Sequence, residues 1–199
     1  MKTITRLNSP VDNRDYARGP KDAPVTIVEY ADYECAYSGQ VNYILQRLAT
    51  DVGGLFRLVY RNFPLAQIRP HALPAALSAE AAGMRGAFWE MHDILYEHQD
   101  SLEPEHLIVY AQVLGLDVEK FIVDLTSDAA AANVREDFIS GLRSGVNGTP
   151  TLYINGERYD GDDDYDELRA AIETAAKART DHVSKAKTII TRGHAGSRF

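Results

Sequence analysis

A single cysteine, Cys35, and three methionines are all the sulfur in the 199 residues. One thiol excludes an internal disulfide, so this is no disulfide-stapled scaffold. Long apolar runs are missing as well: no stretch approaches the roughly 18 apolar residues of a spanning helix. The amino terminus, Met1 to Pro10, carries neither an apolar h-region nor a small-residue cleavage site, and the expectation is a soluble, cytoplasmic chain without membrane insertion. Positive charge is in deficit, with 21 Lys and Arg against 29 Asp and Glu and a formal net charge of −8. That balance argues against nucleic acid as a partner. What is present suffices for a core, since 45% of the residues are hydrophobic, enough for one domain with room for an insertion. No internal repeat appears.

Residues 1–24 are polar and carry Pro10, Pro20 and Pro24, which reads as an extended arm laid on the surface. Val25 to Tyr30 is rich in β-branched residues and reads as a strand, while Val41, Ile44, Leu45 and Leu48 recur at helical spacing. Gly53-Gly54 breaks that helix, and Leu55 to Phe63 reads as a second strand ended by Pro64. The strand-helix-strand order implies a parallel pair. From about Ala72 to Leu142 the chain turns alanine-rich and helical, with breaks at Gly83 to Gly86, Ser101 to Pro104, Gly115 to Asp117 and near Ser127-Asp128. The last three breaks offer N-cap residues. Thr151 to Ile154 then reads as a strand, Asn155-Gly156 as a hairpin turn and Glu157 to Tyr159 as its return. Asp162 to Asp166 caps a last helix through about Ala178, beyond which Arg179, Lys185, Lys187, Arg192 and Arg198 make a basic tail. Such a tail is ordinarily solvated; its functional alternative is a docking arm for an acidic partner or a second subunit.

Cys35 lies where the first strand feeds the first helix. A helix start presents unpaired N–H groups and the positive end of the macrodipole, and both favour thiolate over thiol. The neighbours Asp32, Tyr33, Glu34, Tyr37, Ser38 and Gly39 are not those of an inert core cysteine. The spacing Cys35-x-x-Ser38 parallels a Cys-x-x-Cys redox centre with its second sulfur replaced. Ser38, one turn on, can donate its hydroxyl to the thiolate or satisfy a backbone group of the first turn. Glu29 follows four mostly apolar strand residues, which favours burial and a raised pKa over a strand-end charge facing water.

The segment Glu29 to Ser38 resembles the active-site segment of DsbA-like thioredoxin-fold oxidoreductases, and Gly145-Val146-Asn147-Gly148-Thr149-Pro150-Thr151 resembles their Gly-Thr-Pro loop. Phe63-Pro64-Leu65, Ala79 to Ala82 and Phe88 to His92 are similar to the branch found as free cytoplasmic domains and fused to NhaA-type antiporters. The resemblance covers about residues 10 to 178. It implies an α/β thioredoxin-like fold split into residues 25–63 and 146–178, an inserted helical subdomain at 64–145, the arm at 1–24 and the tail at 179–199. It also implies a cis bond at Pro150 that turns Thr149 toward the cysteine to pair with an extended substrate, Thr149 tuning selectivity. Ala36 and Tyr37 complete the expected substrate contacts. Glu29 then stands where the family keeps a buried carboxylate that assists proton transfer. Two departures stand out: Ala36 where proline is common, and Ser38 where the resolving cysteine belongs.

The implied activity is thiol–disulfide exchange through one nucleophile, Cys35, forming mixed disulfides with protein thiols or with glutathione as a co-substrate. Two alternatives come with it: a glutathione-dependent transferase or isomerase on the same fold, and a non-catalytic peptide-binding module with a vestigial site. No metal or resident cofactor is expected, because His71, His92, His98 and His106 share no ligand spacing with one another or with Cys35. Asp160-Gly161-Asp162-Asp163-Asp164 starts like a calcium loop, but its glycine is misplaced and Ala171 stands where the bidentate glutamate belongs. Phe88, Trp89, Met91 and Leu95 read as the core of the helical block, with a groove wall beside Cys35 as the alternative.

Overall fold

A computed structural model describes residues 5–194. Five strands form one mixed sheet: β1 (Tyr16–Arg18), β2 (Val25–Ala31), β3 (Phe56–Asn62), β4 (Thr151–Ile154) and β5 (Glu157–Arg158), in the order β1-β3-β2-β4-β5. The central pair β2 and β3 is parallel, in a register that sets Glu29 opposite Tyr60 and Ala31 opposite Asn62. The remaining pairs are antiparallel. The helix α1 (Ala36–Val52) supplies the β2-to-β3 crossover, and α7 (Tyr165–His194) follows the terminal hairpin. Between β3 and β4 the chain runs through α2 (Ala72–Gly83), α3 (Phe88–Glu97), α4 (Pro104–Val113), α5 (Val118–Leu125) and α6 (Asp128–Ser144).

Strand alternation sorts the core. Val25 and Ile27 join Val41, Leu45 and Leu48 of α1 and Leu168 and Ile172 of α7, whereas Val28 and Tyr30 join Val59, Phe63, Val146 and Tyr153. A third cluster holds the helical block together around Tyr33, Tyr60, Phe88, Met91, Leu95, Tyr96 and Phe121. Each large apolar side chain so buried contributes about 1.5–3 kcal/mol. On α6, Gly141 lets the helix approach the sheet, since a Cβ there would meet the Phe63 ring at 2.7 Å. The same helix ends at Gly145 in the left-handed region, with φ 88°, which redirects the chain into the loop before β4.

Several expectations need correction. Residues 1–24 are not merely a surface arm: Tyr16–Arg18 form the edge strand β1, and Arg6 bridges to Glu157. Tyr16 stacks on Phe88 at 3.8 Å, and Asp15 pairs with the buried Arg61. No alternation marks so short a strand, and its partners lie far off in sequence. Of the three expected N-caps in the helical block, Asp117 and Ser127 accept from the N–H groups of Lys120 and Ala130. The third fails, because α4 starts after Glu103 with Pro104 at its first turn and no side-chain cap. The last helix does not stop near Ala178; α7 runs to His194, so most of the expected basic tail is helical and residues 195–199 lie outside the described ones.

Arg61 anchors the N-terminal segment to the sheet. It reaches both oxygens of Asp15, at 2.7 and 3.0 Å, and donates to the carbonyls of Ser9 and Pro10 and to the Tyr30 hydroxyl. Both side chains are below 10% exposed, at 5% and 7%. Removing one partner strands the other charge out of water, so Asp15→Ala is expected to cost about 3–5 kcal/mol in urea denaturation, and the double variant Asp15→Ala with Arg61→Met much less. A single variant as stable as the wild type would show that this pair does not pin the segment.

Candidate active site

Cys35 occupies the N-cap position of α1 with extended backbone, φ −93° and ψ 116°. It is fully buried, and in its thiol form Sγ–H donates to the Thr149 carbonyl oxygen at 3.2 Å. Burial pushes the thiol upward, but hydrogen bonding from the Thr149 side chain, from the Ser38 backbone N–H and from the Ser38 hydroxyl, together with the Arg69 charge, outweighs it. The net result is a pKa below the ordinary thiol value.

Ser38 is buried and serves the backbone as well, its Oγ accepting from the Asp32 N–H at 3.4 Å. Ala36 and Tyr37, on the opposite side of the first turn, are exposed, Tyr37 at 71%. The Thr149-Pro150 peptide is cis, and both residues are partly buried beside Cys35. Strand pairing carries this loop to the thiol, because β4 runs antiparallel to β2 with Thr151 opposite Tyr30.

Glu29 is on the β2 face that carries Val25 and Ile27, fully buried, and neither carboxylate oxygen has a hydrogen-bond partner among the described residues. Burial, with a smaller push from Asp163, raises its pKa to about 8. The strand-end reading with the charge facing water does not hold.

Beneath the loop, Tyr33 stacks on Tyr60 at 5.1 Å and its hydroxyl meets His92 Nδ1 at 3.1 Å, while His92 Nε2 faces Asn42 Oδ1 at 3.2 Å. Burial, with the Arg18 charge, holds His92 neutral. His98 and His106 stack on Tyr110. Phe88, Met91 and Leu95 are core residues of the helical block, and Trp89 packs against that core with the Arg18 guanidinium 4.5 Å from its ring.

Four contributors carry no sequence signal strong enough to single them out. The Asp32 carboxylate accepts from the Glu34 N–H at 2.9 Å, the Leu65 N–H at 2.9 Å and Arg69 Nη1 at 3.1 Å. Arg69, on the loop between β3 and α2, also donates to Thr149 Oγ1 at 3.4 Å. Gln99, after α3, donates Nε2 to the carbonyls of Tyr33 and Cys35 at 2.6 and 3.0 Å. The Glu34 carboxylate accepts the His71 N–H at 2.7 Å. Asp32 could have been found as a turn-forming aspartate three residues ahead of Cys35; Arg69 and Gln99 meet the loop only through the tertiary fold.

A buried cysteine at a helix start, facing the loop before an antiparallel strand, on a sheet interrupted by helices, defines an α/β thioredoxin-like fold of the DsbA-like kind. A family model described as Thioredoxin matches residues 12–174, and the chain belongs to that family. Among solved structures it is similar to a thioredoxin-like oxidoreductase from Silicibacter pomeroyi DSS-3, at 26% identity and TM-score 0.75 over 83% of this chain and 94% of that one. It is also similar to oxidised BdbD from Bacillus subtilis, at 26% identity and TM-score 0.76 over 87% and 98%. Among curated proteins, the Na(+)/H(+) antiporter NhaA 1 of Salinispora arenicola is 45% identical over 173 residues, which are 86% of this chain and 26% of that protein. The NhaA antiporter of Herminiimonas arsenicoxydans is 41% identical over 89% of this chain and 28% of its own length. The chain therefore spans about a quarter of the length of these antiporter relatives.

The buried carboxyl of Glu29 predicts a pH dependence of stability. Its folded pKa, about 8, stands above the ordinary 4.5, so between these values the folded chain holds a proton that the unfolded chain has lost. Stability from this group is complete below the lower value and declines as pH rises through the window, by roughly 3 kcal/mol at pH 7 at about 1.4 kcal/mol per unit. Glu80 and Asp137, also raised by burial, act in the same direction, so the difference between wild type and Glu29→Gln isolates this carboxyl. Urea denaturation from pH 5 to 8 should show Glu29→Gln gaining on the wild type. Parallel profiles would mean that Glu29 is ionised in the folded protein.

Proposed function

We propose that the protein is a thiol–disulfide oxidoreductase that works through Cys35 alone. The observation that carries this reading is the Cys35 sulfur at the α1 N-cap, its thiol depressed by Ser38, Thr149 and Arg69 while it faces the Thr149 carbonyl. A thiolate there attacks one sulfur of a disulfide in line; the Cys35 Sγ–S bond forms, the old S–S bond breaks, and the leaving thiolate takes the electron pair and then a proton. Glu29, protonated near neutral pH, is the buried group suited to hold the proton exchanged in this cycle. An extended substrate segment would pair with the Thr149 backbone as an added strand, between the exposed Tyr37 and the loop of Arg69.

Ser38 cannot resolve the intermediate, so a second thiol from solution or from a partner protein must attack the mixed disulfide and regenerate Cys35. That requirement suits a reducing, cytoplasmic setting, where free thiols are abundant. Protein thiols and glutathione are the partners this chemistry admits.

Intact-mass measurement after incubation with a small disulfide should show one adduct on the wild type and none on Cys35→Ser; no adduct on either would remove the exchange reading. Ser38→Cys should raise catalysed insulin reduction by dithiothreitol at least severalfold over the wild type, the two sulfurs being one helical turn apart. Unchanged turnover, with the new disulfide formed, would place the limit in substrate access and not in the absent sulfur.

A further inference from the structure

A disulfide attacked by Cys35 must bring its sulfur against Sγ, so whatever flanks that sulfur meets the side chains at the mouth of the site. Tyr37, two residues after Cys35, and Ile68, the residue before Arg69, are exposed, at 71% and 72%. One nitrogen of Arg69, Nη1, is committed to Asp32 Oδ2 and Thr149 Oγ1. Nε and Nη2 have no partner among the described residues, and the side chain is 22% exposed. Asp32 cannot follow an incoming ligand: its side chain is wholly buried and held by the N–H groups of Glu34 and Leu65. The guanidinium is thus fixed along one edge with the other edge open. Glu34, the other carboxylate of the cysteine turn, is engaged by the His71 N–H at 2.7 Å and faces its Nδ1 at 3.4 Å.

A guanidinium edge with two free donors matches a carboxylate in geometry and charge, and a pre-fixed fork loses little entropy on binding one. We propose that Arg69 is a specificity-determining residue that receives a carboxylate carried close to the reacting sulfur, so that the favoured small substrates are acidic disulfides of the oxidised-glutathione class. The inference rests on the exchange reading above. The step balances as before: Cys35 is oxidised to the mixed disulfide, and one acidic thiol is released in its reduced form.

The test is the rate constant of mixed-disulfide formation, followed by intact mass, for wild type, Arg69→Gln and Arg69→Lys with oxidised glutathione, hydroxyethyl disulfide and cystamine. These probes are acidic, neutral and cationic at their flanks. Arg69 also favours the Cys35 thiolate by charge, so Arg69→Gln should slow all three; the expected signature is a further loss of about tenfold for oxidised glutathione relative to hydroxyethyl disulfide, with cystamine gaining on both. Arg69→Lys should recover the charge effect and only part of the preference. Ratios taken within one variant cancel any loss of folded protein. Equal slowing on all three probes would overturn the proposal and leave Arg69 as a modulator of the thiolate alone. A wild type that forms no adduct with any of them would instead fail the exchange reading, and the inference with it.

Discussion

The Asp32 carboxylate is the tie on which the site depends. Its side chain is shut off from water, a cost that only full pairing offsets, and its partners come from three places: the turn leading into α1, the start of the β3–α2 loop, and the guanidinium further along that loop. Through it the cysteine turn and the Arg69 loop become one unit. Gln99 closes the other side, holding the carbonyls of Tyr33 and Cys35. With the turn clamped from both flanks, the N-cap geometry of Cys35 is set before any substrate arrives, which is what electrostatic preorganisation requires.

The same end of the sheet stores unfavourable chemistry. Glu29 gives up hydration without gaining a hydrogen bond among the described residues, and the thiol of Cys35 is buried as well. A fold selected only for stability would fill such a position with an aliphatic residue, as it does at Val25 and Ile27, four and two places earlier on the same face. A buried, unpaired carboxyl on the strand that leads to a thiol of lowered pKa is the ordinary mark of a working site. The aromatic layer of Tyr33, Tyr60, His92 and Tyr96 backs this region with neutral, hydrogen-bonded groups, which keeps the surroundings low in dielectric.

Much of this was legible in the residues, and the reason lies in how local each signal is. The β-branched run into Cys35, the helical spacing of Val41, Ile44, Leu45 and Leu48, and the Asn155-Gly156 turn all act within a few residues, so β2, α1 and the β4–β5 hairpin could be read directly. Glu29 stood out because it follows four mostly apolar strand residues. The edge strand β1 was not readable, since three residues cannot display a period and its pairing with β3 is a long-range event. Arg69 and Gln99 escaped for the same reason: each reaches the cysteine turn from a loop brought there only by packing, 34 and 64 residues further along the chain. Helix capping was legible where the side chain was the right type, at Asp117 and Ser127, and misleading at Ser101, where Pro104 starts the helix without a side-chain cap.

The helix start and its neighbours stabilise the Cys35 thiolate and so set the thiol's pKa below its ordinary value. Because the chain has one cysteine, the ultraviolet absorbance of the thiolate, recorded against pH with Cys35→Ser as the blank, reports this group alone and needs no reagent to enter the buried site. That stabilisation requires a midpoint clearly below the free-thiol value of about 8.5, moving upward in Arg69→Gln. A midpoint at or above that value would contradict it.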